Sequence, residues 1–228
     1  MVRTETERRN GGTFPELKIA RSAARKNTPI FQTLHSCVDY LNNSSRATEE
    51  RSSTVKHDEN MLTTDRLTII PCTIEMIRAI VIAPQDLSMF IGATIPRGWP
   101  EADLVEALPY FVSELEKDPQ AYVWLVWIII SKTDNVLIGS IGFRGKPNSG
   151  GTIELGYGIL PEYRNRGFAF EAAQALVTWA KKMDGVKKIM AECAPENSPS
   201  VRILAKLNMV RSETPGSGGN ALFELTIA

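Results

Sequence analysis

Residues 153–173, IELGYGILPEYRNRGFAFEAA, constrain the fold of this chain more than any other stretch. Apolar side chains alternate from Ile153 to Ile159, Pro161 closes the alternation, and from about Gly167 the apolar residues recur with helical spacing. Ala169, Ala172, Ala173, Leu176, Ala180 and Met183 form one stripe, small enough for a helix to lie close against a sheet. A strand joined to a helix by so few residues predicts an α/β unit, with the helix start held at the strand's C-terminal end.

The remaining elements fit around that unit. Arg66–Ile70 reads as a strand, and Thr73 caps a helix to about Ala83 with Glu75 in its first turn. The stretch 84–99 is loop-like, and Pro100 suits the first position of a second helix that carries Leu104, Leu108, Phe111, Val112 and Leu115. Tyr122–Ile130 and Val136–Phe143 read as a hairpin around Asp134-Asn135. Thr152–Leu160 is then the fourth strand, Val186–Cys193 the fifth, Ser198–Leu207 a short helix and Ala221–Ile227 a last strand. Antiparallel strands followed by a strand–helix–strand–helix run predict a mixed α/β sheet with helices on both faces.

Residues 1–60 are different in kind. They are polar, hold apolar periodicity only weakly over 30–41, and predict a largely disordered extension before a folded domain over residues 61–228. Acidic Glu5, Glu7 and Glu16 speak against a transit peptide, and neither a signal peptide nor a lipidation motif is expected.

Several function classes are excluded by content. Formal net charge is zero, so no nucleic-acid partner is expected. The longest apolar run, Tyr122–Ile130, is far short of the roughly 20 residues of a membrane span. Cys37, Cys72 and Cys193 show no paired spacing, which fits a reducing compartment. Both histidines, His35 and His57, lie in the polar extension, which excludes a Ser-His-Asp site or a histidine-bearing zinc site in the domain; no metal is expected. Cys193, alone on a strand, reads as a buried thiol. The loop after the fourth strand lacks the lysine of an NTPase phosphate loop.

That loop, Arg164-Asn165-Arg166-Gly167-Phe168-Ala169, nevertheless has the makings of an anion site. Open backbone N–H groups at a helix start attract negative charge, Gly167 permits close approach, and Arg164 and Arg166 add positive charge. Physics proposes a phosphate or diphosphate; an ordinary strand-to-helix turn with solvated arginines fits the same residues. In the strand before it, alternation puts Glu154, Gly156, Gly158 and Leu160 on one face, a carboxylate beside open space. Glu154 reads as a general base or as an ordinary paired glutamate.

Arg164-x-x-Gly167-x-Ala169 after a strand resembles the Q/R-x-x-G-x-G/A signature of the GNAT superfamily of acyltransferases. With Glu154 upstream and Asn197-x-x-Ser200 downstream, the wider run resembles the branch that acetylates ribosomal-protein N-termini and related amines. The resemblance covers roughly residues 62–227. It implies a GNAT-like mixed, mostly antiparallel central sheet with helices on both faces, splayed between strands four and five, with acetyl-CoA held in the gap. It implies a bulge in the fourth strand and an N-acetyltransferase that moves an acetyl group to a protein N-terminus or small-molecule amine by direct transfer. By the same resemblance, Glu154 and Ser200 are catalytic, Ile159 and Leu160 offer backbone amides to the pantetheine arm and thioester, and residues Arg164, Asn165, Arg166, Gly167, Phe168 and Ala169 anchor the diphosphate. Asn197 reaches the pantetheine arm, although helix capping also explains it. The implied setting is cytoplasmic, with acetyl-CoA and an amine as partners, no membrane, and a homodimer left open. A non-catalytic acyl-CoA-binding module is the alternative.

Two departures from the family pattern matter. Leu204 stands where many relatives carry a tyrosine acid, which leaves Ser200 or a water to protonate the thiolate. Asn208-Met209 replaces the usual Gly-Phe, and asparagine tolerates the left-handed conformation at a helix end. At the acceptor end, Met89, Phe90 and Trp99 either line an apolar wall or pack in the core, and the loops 85–99 and 212–220 carry no charge cluster that identifies an acceptor.

Overall fold

The computed structural model describes residues 60–227, so the expectations for the extension up to Glu59, with its histidines and Cys37, lie outside the described residues. Eight strands form one sheet: β1 (Leu62–Thr63), β2 (Leu67–Pro71), β3 (Val126–Ser131), β4 (Val136–Phe143), β5 (Thr152–Ile159), β6 (Lys188–Cys193), β7 (Val210–Arg211) and β8 (Ala221–Thr226). Their order is β1-β2-β3-β4-β5-β6-β8-β7, antiparallel throughout except for the β5–β6 pair. The helices are α1 (Ile74–Ile82), α2 (Ser88–Ile91), α3 (Ala102–Lys117), α4 (Phe168–Ala180) and α5 (Ser198–Lys206).

The sheet is covered on both faces, which explains why β3 is buried at every residue. Trp127 and Ile129 join the core beneath α4, with Ala172, Ala173, Leu176 and Ala180 of the small-residue stripe. Ile128 and Ile130 join the opposite core beneath α1 and α3, with Met76, Ile77, Ile80, Leu108 and Leu115. Burying such side chains contributes about 1.5–3 kcal/mol each relative to exposure.

Several boundaries differ from the sequence reading. Residues 119–124 form a 3₁₀ turn rather than the start of a strand, because Pro119 opens it and Asp118 Oδ1 accepts the Gln120 N–H. Helix α3 starts at Ala102, since Glu101 keeps an extended backbone (φ −68°, ψ 157°) and serves as its N-cap. The stretch 84–99 contains a 3₁₀ turn and the short α2, and the two-residue β1 and β7 escaped the sequence reading. Thr73 caps α1 by accepting the Met76 N–H, and Asn208 takes a left-handed φ of 60° after α5, both as expected.

β5 and β6 pair only over Thr152–Glu154. Beyond that point β5 stays with β4 as far as Ile159, while β6 stays with β8 as far as Cys193. The sheet therefore splays between these two strands, the fourth and fifth of the sequence reading before β1 is counted. The bulge implied for the fourth strand is not there: β5 runs in unbroken register along β4, and the register shift falls between Ile129 and Ile130 of β3.

Candidate active site at the strand splay

The unbroken β4–β5 ladder decides which amides face the gap. Leu160 N–H donates to Ile138 O at 2.9 Å and Arg144 N–H donates to Glu154 O at 3.0 Å. Alternation of an antiparallel ladder then directs the peptide groups of Gly156 and Gly158 toward β4, and those of Tyr157 and Ile159 toward the place β6 has left. Of the two amides expected to meet a pantetheine arm, Ile159's is open to the gap. Leu160's is already spent on Ile138, so as a donor Leu160 is corrected. The Ile159 carbonyl accepts Arg164 Nε at 2.8 Å, which pins that guanidinium below the loop.

The loop itself is built from two left-handed residues, Asn165 (φ 61°) and Gly167 (φ 83°). Gly167 is the N-cap of α4 and no side chain caps the helix. Glu171 N–H, donating to Gly167 O at 3.1 Å, makes the first helical bond, so the amides of Phe168, Ala169 and Phe170 have no carbonyl within the helix to meet. Phe168 is buried in the core, so only its backbone faces outward. Arg166 lies over the Tyr163 ring at 5.5 Å.

Arg66, from the turn between β1 and β2, straps this loop. Its Nη1 donates to Arg166 O at 3.0 Å, its guanidinium lies 4.6 Å from the Phe168 ring centre, and it pairs with Glu171 at 2.6 Å. Thr64 Oγ1 donates to the same carboxylate at 2.6 Å. Sequence reasoning missed Arg66, Thr64 and Glu171 as parts of this strap; Arg66 and Thr64 lie about a hundred positions from the loop and carry no local signal.

Glu154 lies on the face of β5 that carries Gly156 and Gly158, as alternation predicts. Arg144 Nη1 is 3.2 Å from Glu154 Oε1, and the carboxylate side chain keeps 29% of its exposure. Burial pushes its pKa up; Arg144 works against that shift and Glu192, on the same face of β6, adds to it. A Cβ placed at Gly156 would meet nothing within 4 Å, and one at Gly158 would lie 3.6 Å from Glu101 Oε1. Sequence reasoning assigned Glu101 no part beyond a charge at a helix start.

Across the gap, Asn197 Oδ1 caps α5 by accepting the Ser200 N–H at 3.2 Å, which leaves its amide nitrogen for another partner. Ser200 lies beside Tyr157, whose buried hydroxyl makes no hydrogen bond and is pushed up to about 12 by burial. Leu204 is fully packed into the core beneath α4. Trp99 is buried at 3% exposure, whereas Met89 (85%) and Phe90 (41%) are exposed rather than core residues. Among the described residues, no group of histidine, cysteine, aspartate or glutamate side chains is placed to hold a metal, and no helix is long and apolar enough to cross a membrane.

A splayed sheet with open β5 amides and an uncapped helix start beside them leaves a gap lined by hydrogen-bond donors, with an anion-attracting end. The model of the acetyltransferase (GNAT) domain matches residues 66–210. The uncharacterized N-acetyltransferase YjdG of Bacillus subtilis is 32% identical over 150 residues, which is 66% of this chain and 89% of that protein. The chain belongs to the GNAT acetyltransferase family and is an N-acetyltransferase. Among solved structures, the ribosomal-protein-S5-alanine acetyltransferase of Vibrio fischeri shares the fold with a TM-score of 0.51 at 16% identity, covering 73% of this chain and 96% of that one. RimL, a ribosomal L7/L12 alpha-N-protein acetyltransferase in complex with coenzyme A, does so with a TM-score of 0.50 at 11% identity, covering 73% and 98%.

Proposed function

We propose that this enzyme transfers the acetyl group of acetyl-CoA to a primary amine, a protein N-terminus or a small molecule, by direct attack in a ternary complex. The observation that carries the reading is the uncapped start of α4 opening beside the β5–β6 gap. Its amides at Phe168 and Ala169, with Arg166 and the close approach that Gly167 allows, suit a diphosphate. The Ile159 amide, facing the gap, suits the pantetheine arm, with the Tyr157 amide beside it for the thioester oxygen. Arg164 acts through the backbone it pins, and Asn197 offers its amide nitrogen to the arm.

Glu154 accepts the ammonium proton through a water, the neutral amine attacks the thioester carbon, and the C–S bond breaks as the tetrahedral intermediate collapses. The thiolate leaves beside Ser200, which supplies or relays its proton. Much of the rate comes from holding the two substrates in one geometry.

The test couples CoA thiol release to mass detection of the acetylated product across a panel of peptides and small amines. Thiol release that requires an amine and yields its acetamide is expected; hydrolysis alone, or no release with any amine, sinks the reading. The reading includes a catalytic unit over residues 61–228 and a cytoplasmic setting with which the free thiols of Cys72 and Cys193 are compatible. Removal of residues 1–60 is expected to preserve both acetyl-CoA binding and thiol release, and loss of either removes that boundary.

A further inference from the structure

We infer that Glu101 is a second acidic residue of the acetyl-transfer site, one that holds the acceptor's ammonium over the Gly156–Gly158 face of β5, so that the acceptor enters as a cation. The inference rests on the acetyl-transfer reading and names what that reading leaves open, the charge of the substrate.

Both carboxylate oxygens of Glu101 are buried, and neither has a hydrogen-bond partner beyond the residue's own backbone N–H. Glu101 stands at the N-cap of α3, yet its side chain caps none of that helix's amides and turns toward β5 instead. A buried ionised carboxylate without a partner is costly, and such a group is retained where a ligand supplies the missing charge. Burial pushes Glu101 upward in pKa, and its own backbone N–H, together with Arg164, only partly offsets this. Arg164 is the cation of the neighbourhood, but its Nε is taken by the Ile159 carbonyl. Asp103 and Glu162 add negative potential.

Position singles Glu101 out further. Gly156 lies midway between Glu154 and Gly158 on one face of β5, about 7 Å along the strand from each. The open space over Gly156 is thus bounded by Glu154 at one end and by the Glu101 carboxylate above Gly158 at the other. The Tyr157 and Ile159 amides, which flank Gly158, point into the gap where the thioester would lie. An ammonium in that space donates directly to Glu101 and faces Glu154 through intervening water. The two acids then divide the work: Glu101 binds and aims the nitrogen, and Glu154 takes the first proton. As the C–N bond forms and the C–S bond breaks, the second nitrogen proton passes by way of water and the Ser200 hydroxyl to the departing thiolate, leaving an acetamide and CoA thiol.

The test is Glu101→Gln in the full chain, with an alanine-initiated peptide, lysine and a linear diamine as acceptors. KM for the amine is expected to rise about 10- to 100-fold, the range of a lost charge-assisted hydrogen bond, with a smaller change in kcat and an unaltered calorimetric affinity for acetyl-CoA. Glu101→Asp keeps the charge and is expected to recover part of the KM, which a merely structural role would not produce. Wild-type turnover with an unchanged amine KM in Glu101→Gln overturns this inference alone. Failure of the wild-type chain to bind acetyl-CoA overturns the transfer reading and this inference with it.

Discussion

Arg66 Nε and Nη2 both reach Glu171 Oε2, at 2.7 and 2.6 Å, so the turn after β1 is tied to the first turn of α4. The same guanidinium holds the Arg166 carbonyl. The strap thereby sets the shape of the loop whose amides face the proposed diphosphate. Arg66 is nearly half exposed, so its pairing adds about 1 kcal/mol at most to stability. Arg66→Ala is expected to weaken acetyl-CoA binding by about fivefold, equivalent to that same energy, while leaving the melting temperature within a few degrees. Calorimetry with acetyl-CoA and a thermal melt check both, and an unaltered Kd removes the strap from cofactor binding.

The strap also carries a pH signature. Burial alone would raise the Glu171 pKa, but the Thr64 hydroxyl and the Arg66 guanidinium and amide outweigh it and hold the group below its ordinary value. A carboxylate with a lowered folded-state pKa binds more protons when unfolded. Its contribution is complete above the ordinary value, about 4.3, and is lost as pH falls through the lowered one. Denaturant melts between about pH 6 and about pH 3 should therefore show a shallower acid loss in Arg66→Ala than in wild type. Equal slopes would show that the pair is not what holds Glu171 ionised.

Gly167→Glu should abolish acetyl-CoA binding. The residue sits at φ 83°, and a Cβ there would come within 3.4 Å of Arg66 Nη2. A non-glycine residue in that conformation costs about 1–2 kcal/mol, and a carboxylate at the open amides would take the place of a diphosphate oxygen and repel the others. Gly167→Ala separates the effects, since it brings the strain without the charge and should lose only part of the affinity. Full binding by Gly167→Glu in a calorimetric titration would remove the loop from the cofactor site.

If Glu154 takes the amine proton, kcat/KM must fall as pH drops through its pKa, which burial raises above the ordinary carboxylate range. Arg144 opposes that rise, so Arg144→Ala should move the acid limb to higher pH. Glu192 reinforces it, so Glu192→Gln should move the limb to lower pH. Glu154→Gln should lower kcat by about 100-fold, flatten the limb and leave acetyl-CoA affinity intact. A pH–rate profile for each variant reads the three shifts, and an unmoved limb in both neighbours would take the base role away from Glu154.

Local pattern carried much of this site, and long-range contact carried the rest. Alternation placed Glu154, Gly156 and Gly158 on one face, and helical spacing placed Gly167 and Ala169 at an uncapped helix start, because both signals lie within about twenty consecutive residues. The strap from Arg66 and the orphan carboxylate of Glu101 were not legible, because each depends on a segment that meets β5 or α4 only after the sheet has formed. Leu160 shows a subtler limit. The resemblance implied that its amide is free, and only the register along β4, which fixes Leu160 N–H on Ile138 O, shows that it is not. The run from Tyr122 looked like strand from its apolar content, and the Asp118–Pro119 cap turned its first residues into a 3₁₀ turn.

The last proton of the reaction can be located by substitution. Leu204 is 1% exposed in the core beneath α4, so a tyrosine there would overpack by about 1–3 kcal/mol without reaching the gap. The hydroxyls proposed to lie near the departing sulfur are instead Ser200 on α5 and Tyr157 on β5. With its pKa pushed up to about 12 by burial, Tyr157 stays protonated across the working range and can only donate through its hydrogen. Ser200 neighbours that tyrosine at the start of α5 and is the proposed donor for the thiolate. Ser200→Ala should lower kcat about 10- to 100-fold with little change in acetyl-CoA affinity. Tyr157→Phe should lower it less, and the double variant no more than Ser200→Ala alone, on the proposal that the tyrosine acts through the serine. Single-turnover measurement of thiol release separates these outcomes. Full kcat in Ser200→Ala would assign the proton to water, and additive losses in the double variant would make Tyr157 an independent donor.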